Sequence, residues 1–69
     1  METVKITGEY IKLDSLLKFA SLTGSGGEAK TAIADGLVAV NGEVCTMRGK
    51  NIRPGDRVSF CGEELLVEA

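Results

Sequence analysis

Four cations, Arg48, Lys50, Arg53 and Arg57, fall within ten positions, and the only acid among them is Asp56. Guanidinium and ammonium groups at that density suit one chemistry above others, the neutralisation of a row of phosphates. A solvated loop is the plain alternative for such a run. Arg48-Gly49-Lys50 lies in an irregular segment whose glycine lets the chain bend and present both side chains. Lys12, Lys18 and Lys30 add cations from the earlier part of the chain. A second anion-suited feature is Ser25-Gly26-Gly27. A helix that starts there leaves free N–H groups, and glycines let a phosphate approach the backbone. Glu28 places a negative charge beside that spot, so capping of the helix competes with anion binding as its role.

Catalytic chemistry is poorly provided for. The chain has no histidine, which removes the commonest general base near neutral pH. Cys45 and Cys61 cannot alone fill the four-ligand shell of a structural zinc site, and they read as two reduced thiols. Asp14, Asp35 and Asp56 are scattered and suit caps and turns better than a paired-carboxylate site. A non-enzymatic binding module without cofactor or metal is therefore expected. The 69 residues lead us to expect a single domain. No apolar run approaches the roughly 18 residues needed to span a membrane. Met1-Glu2-Thr3-Val4-Lys5 lacks the basic-then-apolar pattern of an export signal, so a cytoplasmic chain without a membrane partner is expected.

The elements that must position the cations can be read from periodicity. Val4-Lys5-Ile6-Thr7 alternates and predicts a strand at about residues 3–7. Leu13, Leu16, Leu17 and Ala20 form an apolar helical stripe that Thr23-Gly24 ends. Ser25 and Glu28 have capping-box spacing and predict a second helix from Gly26 to Asp35, closed by Gly36. Val38 and Val40 alternate before Asn41-Gly42, a type I′ hairpin signal, with Val44 beyond it. Arg53-Pro54-Gly55-Asp56 reads as a tight turn. Val58 and Phe60 form a further strand, and Leu65 and Val67 finish the chain after a turn at Gly62-Glu63. The expected order is β-α-α-β-β-β-β, an α+β fold in which two helices pack against a small curled antiparallel sheet. The expected core is Leu13, Leu16, Leu17, Ala29, Ile33, Val38, Val40, Val58 and Phe60.

Several of these segments together resemble a known family. Lys12-Leu13-Asp14 with Leu17 is similar to an "Arg-Leu-Asp-x-x-Leu" helix start. Gly36-Leu37-Val38-Ala39-Val40-Asn41-Gly42 looks like a "Gly-x-Val-x-Val-Asn-Gly" core, and Pro54-Gly55-Asp56-Arg57-Val58 like a closing "Pro-Gly-Asp-x-Val". These motifs belong to the RNA-binding domain first named for ribosomal protein S-four, also called the alpha-L motif. The likeness covers about residues 10–60. Ile11-Lys12-Leu13-Asp14, Ser25 to Lys30 and Arg48-Gly49-Lys50 further resemble a bacterial subgroup of small free-standing members. The resemblance implies the two-helix-plus-sheet fold and RNA binding without attached catalysis. Many members carry arginine where this chain has Lys12 and Gly26; lysine meets phosphate as a point charge, whereas arginine offers a bidentate fork.

The net charge of −2 runs against a nucleic-acid binder unless the cations share one face. Glu63, Glu64 and Glu68 crowd the end of the chain, which favours such segregation. The expected RNA-binding residues are Lys12, Ser25, Gly26, Gly27, Lys30, Arg48, Lys50, Arg53 and Arg57. The expected partner is structured RNA, ribosomal or transfer RNA, with the ribosome or a ribosomal precursor as the wider setting. Recognition should read shape more than bases. Aromatic stacking is a poor explanation for binding, because the chain has only Tyr10, Phe19 and Phe60, and Tyr10 is the one exception. A protein–protein interaction module without direct RNA contact is the alternative.

Overall fold

The computed structural model describes residues 2–69. Its elements are β1 (Glu2–Lys5), β2 (Ile11–Lys12), α1 (Leu13–Phe19), α2 (Gly26–Ala34), β3 (Val38–Val40), β4 (Glu43–Val44), β5 (Asn51–Ile52), β6 (Arg57–Phe60) and β7 (Glu63–Glu68). The strands form a five-stranded sheet in the order β1-β7-β6-β3-β4 and a separate two-stranded ribbon, β2-β5. The expected architecture of two helices against a small sheet is present. The sheet, however, is mixed rather than wholly antiparallel, because β1 pairs with β7 in parallel, Val4 opposite Val67. Alternation specifies which face of a strand is buried but not the direction of its partner. Here the partners are the first and last strands, so the rest of the chain serves as the crossover that a parallel pair requires.

The core follows the apolar periods. Leu13, Leu16 and Leu17 of α1, with Ala29 and Ile33 of α2, have no exposed surface. They meet Val38, Val58, Leu65 and Val67 of the sheet, which are equally buried. A cross-strand row, Val40–Val58–Leu65, fills one line of the sheet's inner face. Phe60 packs against the core but remains half-buried, and Ile52 of the ribbon, absent from the expected core, is fully buried. Ile52 fixes the ribbon to the body of the molecule.

The helix ends show how the local sequence acts. Ser25 Oγ accepts from the Glu28 N–H at 3.2 Å, as the capping box requires. The Glu28 carboxylate reaches back to the Gly24 N–H, at 2.8 Å, one residue earlier than the usual capping-box donor. α2 ends where Gly36 takes φ +75°. α1 ends sooner than Thr23-Gly24 suggests. The Leu22 N–H donates to the Leu17 carbonyl at 2.9 Å, and Ser21 adopts φ +61°. This is the left-handed helix stop that glycine usually makes.

Candidate nucleic-acid interface

α1 has seven residues, too few to be stable alone, and Lys12 at its N-cap makes no side-chain capping bond. The free N–H groups of its first turn are satisfied from a distant segment instead. The Leu13 N–H donates to the Lys50 carbonyl at 2.9 Å, and the Asp14 N–H to the Arg48 carbonyl at 3.2 Å. The loop that supplies these carbonyls is a β-turn closed by Lys50 N–H to the Met47 carbonyl, 3.1 Å. Immediately beyond it β5 pairs antiparallel with β2, Lys12 opposite Asn51 and Ile11 opposite Ile52. Peptide groups alone therefore bring the start of the first helix to the Arg48–Arg53 segment. Side chains alternate across a strand, so the inward Ile11 and Ile52 leave Lys12 and Asn51 facing outward. Tyr10 precedes Ile11 and Arg53 follows Ile52, so the two flank one end of the paired ribbon. Tyr10, Lys12, Asn51 and Arg53 are exposed, as are Arg48 and Lys50. From Val44 to Gly55 the chain carries no acid.

The other expected site residues lie around this ribbon or away from it. Lys30 is exposed on α2. At about 100° per residue it shares a flank with Gly26, whereas Glu28 and Asp35 fall on the opposite flank. Ser25 is occupied as the N-cap of α2, and the Glu28 carboxylate lies over the same entrance. Gly26 and Gly27 form the first turn beneath it; a Cβ at Gly26 would meet nothing within 4 Å, so that side of the turn is open. Arg57 is exposed at the start of β6. It borders a depression on the sheet's outer face with Ser59 and Glu64, and shares no strand with the ribbon.

The Asn-Gly and Pro-Gly-Asp segments explain themselves as structure. Asn41 and Gly42 both have positive φ, +52° and +85°, and close the β3–β4 hairpin. Gly55, at φ +96°, is the third residue of the turn that the Asp56 N–H closes on the Arg53 carbonyl at 3.0 Å. The two turns are tied to each other. Asn41 Nδ2 donates to Asp56 Oδ1 at 3.1 Å, and Asn41 Oδ1 accepts from the Arg57 N–H at 2.9 Å. Asp56 Oδ2 accepts from the Arg53 N–H at 2.9 Å. This clamp fixes the backbone from which Arg53 leaves for the ribbon.

Among the described residues no three histidine, cysteine, aspartate or glutamate side chains gather as a metal-binding set. Cys45 and Cys61 are free thiols. No helix of the described residues is long and apolar enough to cross a membrane. Sequence reasoning missed Asn51 and both strands of the ribbon. At two residues each, these strands are too short to carry a period, and only the register reveals their shared face.

Comparison with known proteins identifies the family and the fold. A family model described as the S4 domain matches residues 4–68. YbcJ of Escherichia coli (strain K12) is 42% identical over 60 residues, which span 87% of this chain and 86% of that one. YbcJ of Shigella flexneri matches to the same extent, 42% over 60 residues. The solution structure of the Escherichia coli protein superposes with a TM-score of 0.77 and 38% identity, covering 100% of this chain and 89% of that one. That protein carries an alphaL motif involved in RNA binding. The overall fold is thus shared, and the chain belongs to the S4 domain family.

Proposed function

We propose that this chain is a non-catalytic binder of structured RNA, ribosomal or transfer RNA, acting in the cytoplasm on the ribosome or its precursors. The observation that supports the reading is the joining of β2 to β5, with the peptide bonds from α1 to the Arg48–Lys50 loop, which brings the backbones of Lys12, Arg48, Lys50 and Arg53 together while their side chains stay exposed. Flexible cations on a fixed backbone suit phosphates of a folded or double-stranded segment, whose shape is read without access to base edges. Lys30 on its acid-free flank, with Gly26 beside it, extends the contact along α2, and Ser25 and Gly27 border it. Arg57 stands at the margin, beside Glu64. The RNA-binding motif of the YbcJ structure supports the same assignment.

The test is in-cell crosslinking of the tagged chain, sequencing of the attached RNA, and binding of that RNA by fluorescence anisotropy. The expected result is enrichment of ribosomal or transfer RNA and micromolar or tighter binding, lost when Lys12, Arg48, Lys50 and Arg53 are all replaced by alanine. Recovery of protein partners with no RNA above background would instead favour a protein-interaction module.

A further inference from the structure

The chain has three aromatic side chains, and only Phe60 packs against the core. Tyr10 and Phe19 remain 47% and 63% exposed. Leaving large rings in water forgoes substantial stabilisation, so two of them around one spot call for an explanation. Both line a single surface depression, whose floor includes Ile6 and Ile11 and whose rim includes Lys5. The depression adjoins the ribbon through Tyr10 and Ile11. Tyr10 lies two residues before Lys12, and Arg53 follows Ile52, the partner of Ile11. An occupant of this surface must therefore offer a flat apolar group at the depression and anionic groups one or two residues along the ribbon. A nucleotide offers both: a base with a π-face, and phosphates on either side of it. An apolar peptide segment would fill the depression but leave Lys12 and Arg53 unanswered.

We propose that Tyr10, with Phe19 across the depression, stacks an unpaired nucleobase while Lys12 and Arg53 hold its flanking phosphates. The preferred RNA is then a helical segment carrying a bulged or looped-out nucleotide, not an uninterrupted duplex. Every base has a π-face, so stacking of this kind tolerates any base identity. The inference rests on the RNA-binding reading above and narrows it to a junction between paired and unpaired RNA.

Two RNA hairpins with identical stems test it. In one, 2-aminopurine is a single-nucleotide bulge in the stem; in the other it is paired opposite uracil. Affinity and 2-aminopurine fluorescence are measured for the wild type, Tyr10→Ala and Tyr10→Phe, with circular dichroism to verify folding. The bulged hairpin is expected to bind roughly 5- to 150-fold more tightly through the stacking it gains, with its fluorescence quenched on binding. Tyr10→Ala should weaken the bulged complex by roughly 5- to 150-fold, the span of aromatic–base stacking. It should change the paired complex by less than about twofold, since phosphate contacts remain. Tyr10→Phe should keep both affinities, because stacking needs the ring and not the hydroxyl. Equal binding of the two hairpins by the wild type, unaffected by Tyr10→Ala, overturns the stacking site while RNA binding stands. If the wild type binds neither hairpin at low salt, the RNA-binding reading itself fails and the stacking site falls with it.

Discussion

The turn clamp allows a quantitative test of how the two family motifs are coupled. Asn41 makes two side-chain hydrogen bonds, to Asp56 and from the Arg57 N–H, and Asp56 makes two, from Asn41 and from the Arg53 N–H. One bond is common to both residues, so the pair makes three in all. These bonds are near the surface, and the low end of the hydrogen-bond range applies, about 0.5–1 kcal/mol each. Asp56→Ala should therefore cost about 1–2 kcal/mol, a fall in Tm of roughly 4–16 °C in a domain of this size. Asn41→Gly should cost a similar amount or slightly more, since glycine accepts the φ of +52° but adds its own unfolded-state entropy to the loss of the bonds. Asn41→Ala should cost about 1 kcal/mol more, because a Cβ without a local hydrogen bond is disfavoured at that φ. The double variant Asn41→Gly/Asp56→Ala removes three bonds rather than four. It should be less destabilised than the sum of the single variants by about 0.5–1 kcal/mol. Urea unfolding at pH 7, followed by circular dichroism and fitted with a common m-value, measures all four. Asp56→Asn adds a directional test. Its amide can take the Arg53 N–H only by turning its NH2 toward Asn41 Nδ2, or by forcing the Asn41 amide over and losing the Arg57 bond. Single-variant costs that simply add would refute the claim that the two turns are one structural unit.

Further expectations concern charge and backbone strain. If Lys12, Arg48, Lys50 and Arg53 each neutralise one phosphate, log affinity against log salt has a slope of about −3.6, or about 150-fold loss from 50 to 200 mM. Arg53→Ala should bring that slope to about −2.7 and the loss to about 40-fold, and a slope unmoved by any of the four substitutions would remove the strip from the interface. Cys61 and Gly62 form the two-residue β6–β7 turn at φ +51° and +80°, a type I′ geometry in which asparagine is the favoured first residue. Cys61→Asn should raise stability by about 0.5–1 kcal/mol, and a lower urea midpoint would contradict this. Ser21→Gly relieves the left-handed stop of α1 and should gain about 0.5 kcal/mol after the entropy cost of glycine in the unfolded chain. An unchanged or lower urea midpoint would count against that stop as a source of strain.

What could be read in the sequence was what local chemistry controls. The Ser25 cap, the Gly36 stop, the Asn41-Gly42 hairpin and the Pro54-Gly55 turn each rest on residues whose φ preference or hydrogen bonding acts within a few positions. The leucine stripe of α1 likewise announces its buried face. Long-range pairing could not be read in this way. The parallel β1–β7 pair depends on the two ends of the chain meeting, and the β2–β5 ribbon on two-residue strands with no pattern of their own. Ile52 shows the consequence. A lone isoleucine between Asn51 and Arg53 gives no apolar period, yet it is fully buried and anchors the ribbon. The Asn41–Asp56 bond spans fifteen positions. Each residue looked sufficient as a local turn former, so nothing in either turn alone implied the other.

The proposed phosphate-binding strip belongs to a chain of net charge −2. Four of the ten acids, Glu2, Glu63, Glu64 and Glu68, lie on β1 and β7, and Glu28 and Asp35 occupy the flank of α2 opposite Lys30. Charges separated by more than a Debye length, about 8–10 Å at physiological salt, are largely screened from one another. The acids nearest the proposed strip are Asp14, whose N–H meets the Arg48 carbonyl, and Asp56, whose carboxylate accepts from the Arg53 N–H, so the four cations have these two to outweigh locally. That strip is held by peptide groups: Lys50 and Arg48 carbonyls on the first turn of α1, and the ladder between β2 and β5. None of those bonds uses a cationic side chain. The cations are therefore free to follow an RNA backbone, and each can be cut to alanine without loosening the frame that carries the others. A frame built this way makes the four cations separable by experiment: each substitution should subtract its own phosphate contact from the salt dependence and leave the unfolding midpoint nearly unchanged. A strip held together by its side chains would instead lose stability and affinity together.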